Sequence, residues 1–212
     1  MQQPVTNINN MQQEQTDKYL TIKTTSEGVY KEKGSKFFAF AYPVNTEEEA
    51  MEHLKSLKKK YYDARHHVYA FRVGADLKTF RCSDDGEPSN SSGPPVLGQI
   101  KSNNLTNVLI VVVRYFGGTK LGVPGLINAY REAAADAINN NTIIEKFEED
   151  IFTIEFGYLA MNDVMKVIKD ENPNQLSQEF DNTCAIKLSI RKNKGEQLRN
   201  KLLKIDGLGI KE

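Results

Sequence analysis

VLIVVVRY, running from Val108 to Tyr115, is β-branched and apolar until Arg114. The run is too short to span a bilayer. Lacking polar alternation, it reads as a central strand covered on both faces. FGGTKLGVPG (116–125) follows and turns the chain into a helix that enters near Pro124 and continues to about Ile138. Leu126, Ile127, Tyr130, Ala134, Ala137 and Ile138 fall on one broad face of that helix. Its alanines, Ala133 to Ala135, permit close approach to a sheet. Asn139 to Asn141 stop it, and a domain boundary is expected near residues 140–149.

Working back toward the N-terminus, Leu77 to Cys82 and HVYAFRV (67–73) alternate and read as an antiparallel pair around a turn at Gly74 to Asp76. Between Pro95 and Asn103 a short helix is entered through Pro94 and Pro95. Thr46 is an N-cap and Glu49 completes a capping box; Ala50, Leu54, Leu57 and Tyr61 then recur at helical spacing. That helix carries acid at residues 47–49 and base at 58–60, which complements its macrodipole, so the lysines are read as a solvated face. FFAFAYPV (37–44) is a strand, and residues 19–33 read as a strand pair around Ser26 to Gly28. Residues 1–17, rich in Gln and Asn, are expected to be a disordered tail and show no secretory-signal pattern.

Beyond the boundary, IFTIEFGY (151–158) is a strand and 162–170 a helix. Residues 175–181 and 185–190 form a hairpin, and 195–204 a second helix. The order β-α-β-β-α suggests a ferredoxin-like domain. The expected division is a tail at 1–17, an N-terminal domain at 18–142 and a C-terminal domain at 147–212.

Composition limits the function classes. The 212 residues are 39% hydrophobic and 26% charged, with 28 basic and 28 acidic side chains and no net charge. Nucleic-acid binders usually carry a basic excess, so any such contact must be local. Cys82 and Cys184 are far apart in sequence and fit reduced cytoplasmic thiols better than a disulfide. Three histidines make a multi-histidine metal site improbable, and no cofactor motif is found.

Two loops carry most of the candidate chemistry. In RCSDDGEP (81–88), Asp84, Asp85 and Glu87 crowd around a glycine, which suggests a metal or acid/base site, or a turn whose Asp side chains cap amides. The spacing does not match a calcium loop. The second loop, 114–125, can offer backbone N–H groups and a helix start to an anion, with Arg114 and Lys120 adding charge; its glycines equally suit tight turns. It is neither a P-loop nor a dinucleotide fingerprint. No nucleophile motif surrounds Cys82 or Ser83. Neither loop has enough local counter-charge, so Asp84, Asp85 and Glu87 are expected on one face with Arg114 and Lys120. The candidate binding face comprises His66, Arg81, Ser83, Asp84, Asp85, Glu87, Arg114, Tyr115, Gly117, Gly118 and Lys120.

At these loops the sequence resembles the YigZ/IMPACT family. ARHH (64–67), SDDGEP (83–88) and RYFGGTKLG (114–122) look like its signature, and EKGSKF (32–37) like its opening motif. The C-terminal section is similar to the extra domain of bacterial YigZ-type members. The resemblance implies an α+β protein of two domains: an N-terminal α/β sandwich like a ribosomal protein's second domain, shared with elongation factor G domain four, and a ferredoxin-like C-terminal domain. Eukaryotic members regulate translation by competing for the scaffold that activates the amino-acid-starvation kinase; this chain lacks their additional scaffold-type domain, so that role is not carried over. No catalytic residues come with the family. Two departures stand out: Asn90 to Gly93 replaces Gly-Thr-Ala-Gly, and Pro124-Gly125 replaces two glycines. The implied role is a non-enzymatic, cytoplasmic binding or regulatory protein contacting RNA, the ribosome or a translation factor, with no membrane partner. The alternative is an enzyme acting on a phosphorylated or nucleotide substrate.

Overall fold

The structure, a computed structural model, describes residues 17–181 and 183–211. The segment read as a tail lies outside the described residues except for Asp17. That residue corrects the expectation: it is 6% exposed, and Arg191 donates two 2.6 Å hydrogen bonds to its carboxylate.

The elements run β1 (Lys18–Ile22), β2 (Ser26–Glu32), β3 (Ser35–Pro43), α1 (Glu47–Lys60), β4 (His66–Val73), β5 (Thr79–Ser83), α2 (Gly93–Ser102), β6 (Val108–Tyr115) and α3 (Gly122–Asn139). Then come β7 (Ile143–Phe147), β8 (Glu149–Phe156), α4 (Met161–Glu171), β9 (Asn174–Phe180), β10 (Cys184–Arg191), α5 (Lys192–Leu202) and β11 (Gly209–Lys211).

The N-terminal domain is a five-stranded antiparallel sheet in the order β2-β3-β6-β4-β5. Central β6 explains the VLIVVV run. Val108, Ile110 and Val112 pack under α2 and α3, while Leu109, Val111 and Val113 pack on the opposite face with Ala50, Leu54 and Leu57 of α1. All six are fully buried, each contributing about 1.5–3 kcal/mol of transfer free energy. The Thr46 hydroxyl caps α1 by accepting from the Glu49 N–H at 3.2 Å; the reciprocal bond from Glu49 goes to the Asn45 N–H at 2.7 Å, one residue before the cap.

The strand pair expected at 19–33 is corrected. β2 pairs with β3 through a turn at Lys33 and Gly34, both at positive φ as a type I′ hairpin requires. β1 instead pairs antiparallel with β7, a strand inside the stretch read as the connection. Asn141 fastens the join: its side-chain amide donates to Thr24 O and Ser26 Oγ and accepts from Lys23 N–H.

The C-terminal sheet is antiparallel in the order β11-β8-β10-β9. With α4 and α5 contributing Val164, Ile168, Leu198 and Leu202 to one core, the order βαββαβ is ferredoxin-like. The closing strand β11, three residues long, has no signal of its own in the sequence. Because this core is separate from the two flanking β6, residues 147–212 expressed alone are expected to keep protected amides in β8 and β10. Amide exchange indistinguishable from an unfolded chain would count against an independent unit.

Candidate anion-binding site

The acidic loop is held by its own side chains. Asp84 Oδ1 accepts from the N–H groups of Ser92 (3.0 Å) and Gly93 (2.8 Å) and from Ser92 Oγ (2.7 Å), while Oδ2 accepts from Asn90 N–H (2.8 Å). The carboxylate therefore caps α2, whose own N-cap Ser92 supplies no side-chain cap. Asp85, at φ 44°, accepts from His67 N–H (2.7 Å) and from Lys58 Nζ (3.0 Å). Lys58 is thus tied to the loop rather than simply solvated, which corrects its reading.

Burial alone would raise the Asp84 pKa, but bonds from Ser92, Gly93 and Asn90 outweigh it and hold the carboxyl below its ordinary value; His67 and Lys58 likewise overcome burial at Asp85. A depressed native pKa contributes stability above the unfolded value, near 3.9, and that stability is lost as pH falls through the native value. Asp84→Asn turns one acceptor into a donor facing Asn90 N–H. The variant is expected to lose about 1–2 kcal/mol at pH 7 and to soften more gradually than the parent below about pH 4. Urea midpoints at pH 7 and pH 3 measure both; parallel losses in the two proteins would refute the assignment.

Glu87 turns inward instead. Its Oε1 accepts from Arg114 Nη1 at 2.5 Å and from the Tyr130 hydroxyl at 2.8 Å, and both Glu87 and Arg114 are under 10% exposed. Burial, then the neighbouring Glu87 charge, pushes the Tyr130 pKa far up, so the hydroxyl stays a donor. His66 Nδ1 lies 2.8 Å from Asp85 O, which places its proton there and leaves Nε2, 3.9 Å from Glu87, as an acceptor. Arg114 Nε is buried and has no acceptor among the described residues.

Above this network lies a cleft of about 470 Å³ whose walls include Arg65, His66, Glu87, Arg114, Phe116 and Lys120. Residues 121–123, at the start of α3, complete it. α3 has no side-chain cap and no acid in its first turn, so its leading N–H groups and the positive end of its dipole are unopposed there. Arg65 and Lys120 are exposed and make no ion pair among the described residues.

The structure thus brings His66, Glu87, Arg114 and Lys120 to one cleft. Asp84 and Asp85 belong to the same loop but point into structural contacts. Ser83 accepts from Asp85 N–H at 3.2 Å. Arg81 is exposed on β5, 3.9 Å from Glu47. Tyr115 faces away from Arg114 and donates to Asp63 at 2.7 Å, a bond that with burial raises its pKa to about 12. Gly117 is dictated by packing, since a Cβ there would lie 1.9 Å from Gly34 C; Gly118 sits at φ 88°. Arg65, Phe116 and Tyr130 were not among the expected site residues. The ARHH block did contain Arg65, and adjacency to His66 was the available signal. Among the described residues, no group of three His, Cys, Asp or Glu side chains is placed to hold a metal ion.

Residues 33–138, half of the chain, match the family model for the Impact N-terminal domain. The chain belongs to the YigZ/IMPACT family. IMPACT family member YvyE of Bacillus subtilis is 36% identical over 128 residues, a match spanning 60% of this chain and 59% of that relative. IMPACT family member YigZ of Escherichia coli is 27% identical over 172 residues, 80% of this chain and 84% of that protein. A crystal structure of a hypothetical protein superposes with a TM-score of 0.71 at 25% identity, covering 92% of this chain and 96% of that one. The IMPACT-like blocks at 64–67, 83–88 and 114–122 all reach the one cleft.

Proposed function

We propose that this chain is a non-enzymatic, cytoplasmic, translation-linked binding protein that contacts RNA, on the ribosome or apart from it, through the cleft between the acidic and glycine-rich loops. One observation carries the reading: Arg65 and Lys120 flank the uncapped start of α3, while the nearby carboxylates are already bound within the protein. The site therefore offers net positive charge to an anion although the whole chain is neutral. The family's implied place in translation supports RNA as that anion. Among the described residues no helix is long and apolar enough to cross a membrane.

Co-sedimentation of tagged protein with ribosomes across a salt series tests this. Arg65→Ala with Lys120→Ala is expected to weaken association and flatten the log–log salt slope by roughly one for each phosphate no longer neutralised. Alanines at Lys59 and Lys60 should have little effect. Equal weakening by both pairs would mean diffuse electrostatics, and no association by the parent at low salt would overturn the ribosome reading.

A second reading, an enzyme acting on a phosphorylated or nucleotide substrate, draws on His66, whose anchored Nδ1 leaves Nε2 free to accept a proton. Turnover of such a substrate that disappears in His66→Ala would favour it.

A further inference from the structure

Resting on the reading that the cleft binds RNA, we infer that it seats the terminal phosphate monoester of a nucleic-acid chain rather than a phosphodiester within the backbone. The reason is depth. Arg114 is 6% exposed, and its Nε is a buried N–H without an acceptor among the described residues. An orphaned buried donor costs about 1–3 kcal/mol, so an acceptor that reaches it gains that much over one that cannot. A backbone phosphodiester, flanked by sugars on both sides, rides along a surface. A terminal phosphate projects, and can reach into a concave site.

Charge points the same way. Arg114 is neutralised by Glu87, the one carboxylate lining the cleft among the described residues. That leaves Arg65 and Lys120 as the uncompensated pair, matching the charge of about −1.5 to −2 on a phosphate monoester at neutral pH. A phosphodiester carries a single charge and would leave one cation unmatched. The leading N–H groups of α3, which follow Lys120, supply further donors for the exocyclic oxygens.

The cleft is also large enough for more than phosphate. Its 470 Å³ lies within the range of small-molecule sites, and Phe116 in its wall is 45% exposed. That ring is a stacking surface for the terminal base. The seat therefore holds the phosphate in the inner part, against Arg114 and α3, with the base outside on Phe116.

The experiment is fluorescence anisotropy of the full chain with a short single-stranded RNA carrying either a 5′-phosphate or a 5′-hydroxyl. The phosphorylated RNA is expected to bind about tenfold more tightly, from two charge-assisted contacts. Arg65→Ala with Lys120→Ala, both exposed and without a packing role, should erase the difference between the RNAs. Phe116→Ala should weaken both by about fivefold or more. Displacement by adenosine 5′-monophosphate would support the seat and show that one nucleotide suffices. Equal, salt-dependent binding of the two RNAs by the parent would overturn the seat while leaving the RNA reading intact. Binding of neither, together with failure to co-sediment with ribosomes, would overturn both.

Discussion

Glu87→Ala is expected to destabilise the N-terminal domain by about 3–5 kcal/mol, the range for removing one partner of a buried ion pair. The change leaves the Arg114 guanidinium, 6% exposed, without its counter-ion, and takes the acceptor from the Tyr130 hydroxyl as well. The nearest ring, Phe37, with its centroid 5.4 Å from Arg114 Cζ, cannot substitute for a carboxylate. Two companion variants separate charge from packing. Glu87→Gln keeps an oxygen acceptor and should lose less, about 1–3 kcal/mol. Glu87→Ala with Arg114→Met removes both charges and should recover much of the stability. Urea unfolding followed by amide exchange gives the values and shows which domain is affected. Protection in β8 and β10 should stay unchanged. A Glu87→Ala protein within about 1 kcal/mol of the parent would mean that the pair is not what keeps Arg114 buried.

The same pair shows how far the site was legible in the sequence. Carboxylates without local counter-charge must find partners elsewhere, and that rule anticipated Glu87 meeting Arg114, 27 residues apart. It could not foresee how each carboxylate would be satisfied. Asp84 bonds to backbone amides, which have no sequence signature, and Asp85 bonds to Lys58 from a lysine run that reads as solvated. Tyr130 was placed on the apolar face of α3, where the period of 3.6 puts it; nothing local marks its hydroxyl as a donor to Glu87. Arg65 and Lys120 acquire meaning only from the absence of partners, a three-dimensional property.

For the fold, the strongest local patterns were the dependable ones. The apolar run of β6 and the cap of α1 are short-range signals, and both correspond to the elements observed. Long-range pairing is not written locally. β1 and β7 are each five residues long, and their ladder joins Lys18 to Phe147, so neither strand declares its partner. Asp17 was assigned to a tail by the polar composition before it, whereas its carboxylate is held by a residue 174 positions away.

Gly28→Ala is expected to destabilise the same domain by about 3 kcal/mol, the upper part of the usual range for overpacking. Gly28 lies on β2 where α3 crosses it, and a Cβ built there would sit 2.3 Å from Ala137 N, 2.8 Å from Ala133 O and 2.9 Å from Ala137 Cα. All three are helix backbone atoms, so no side-chain rotation can relieve the clash. α3 has to lift off the sheet, opening the layer where Ala133 and Ala137 are fully buried. Ala137→Gly should fail to rescue stability, because the atoms in the way belong to the backbone and glycine lowers helix propensity by about 1 kcal/mol. The displacement has a second consequence at the other end of the helix. The start of α3 lines the cleft, and Tyr130 on the same helix donates to Glu87, so lifting α3 disturbs both the N–H groups and the carboxylate that positions Arg114. Anion or RNA binding by Gly28→Ala is therefore expected to weaken even under conditions where the protein remains folded. Thermal unfolding and anisotropy on the same sample test the coupling. Reduced stability with undiminished binding would show that the cleft does not depend on how closely α3 sits against β2.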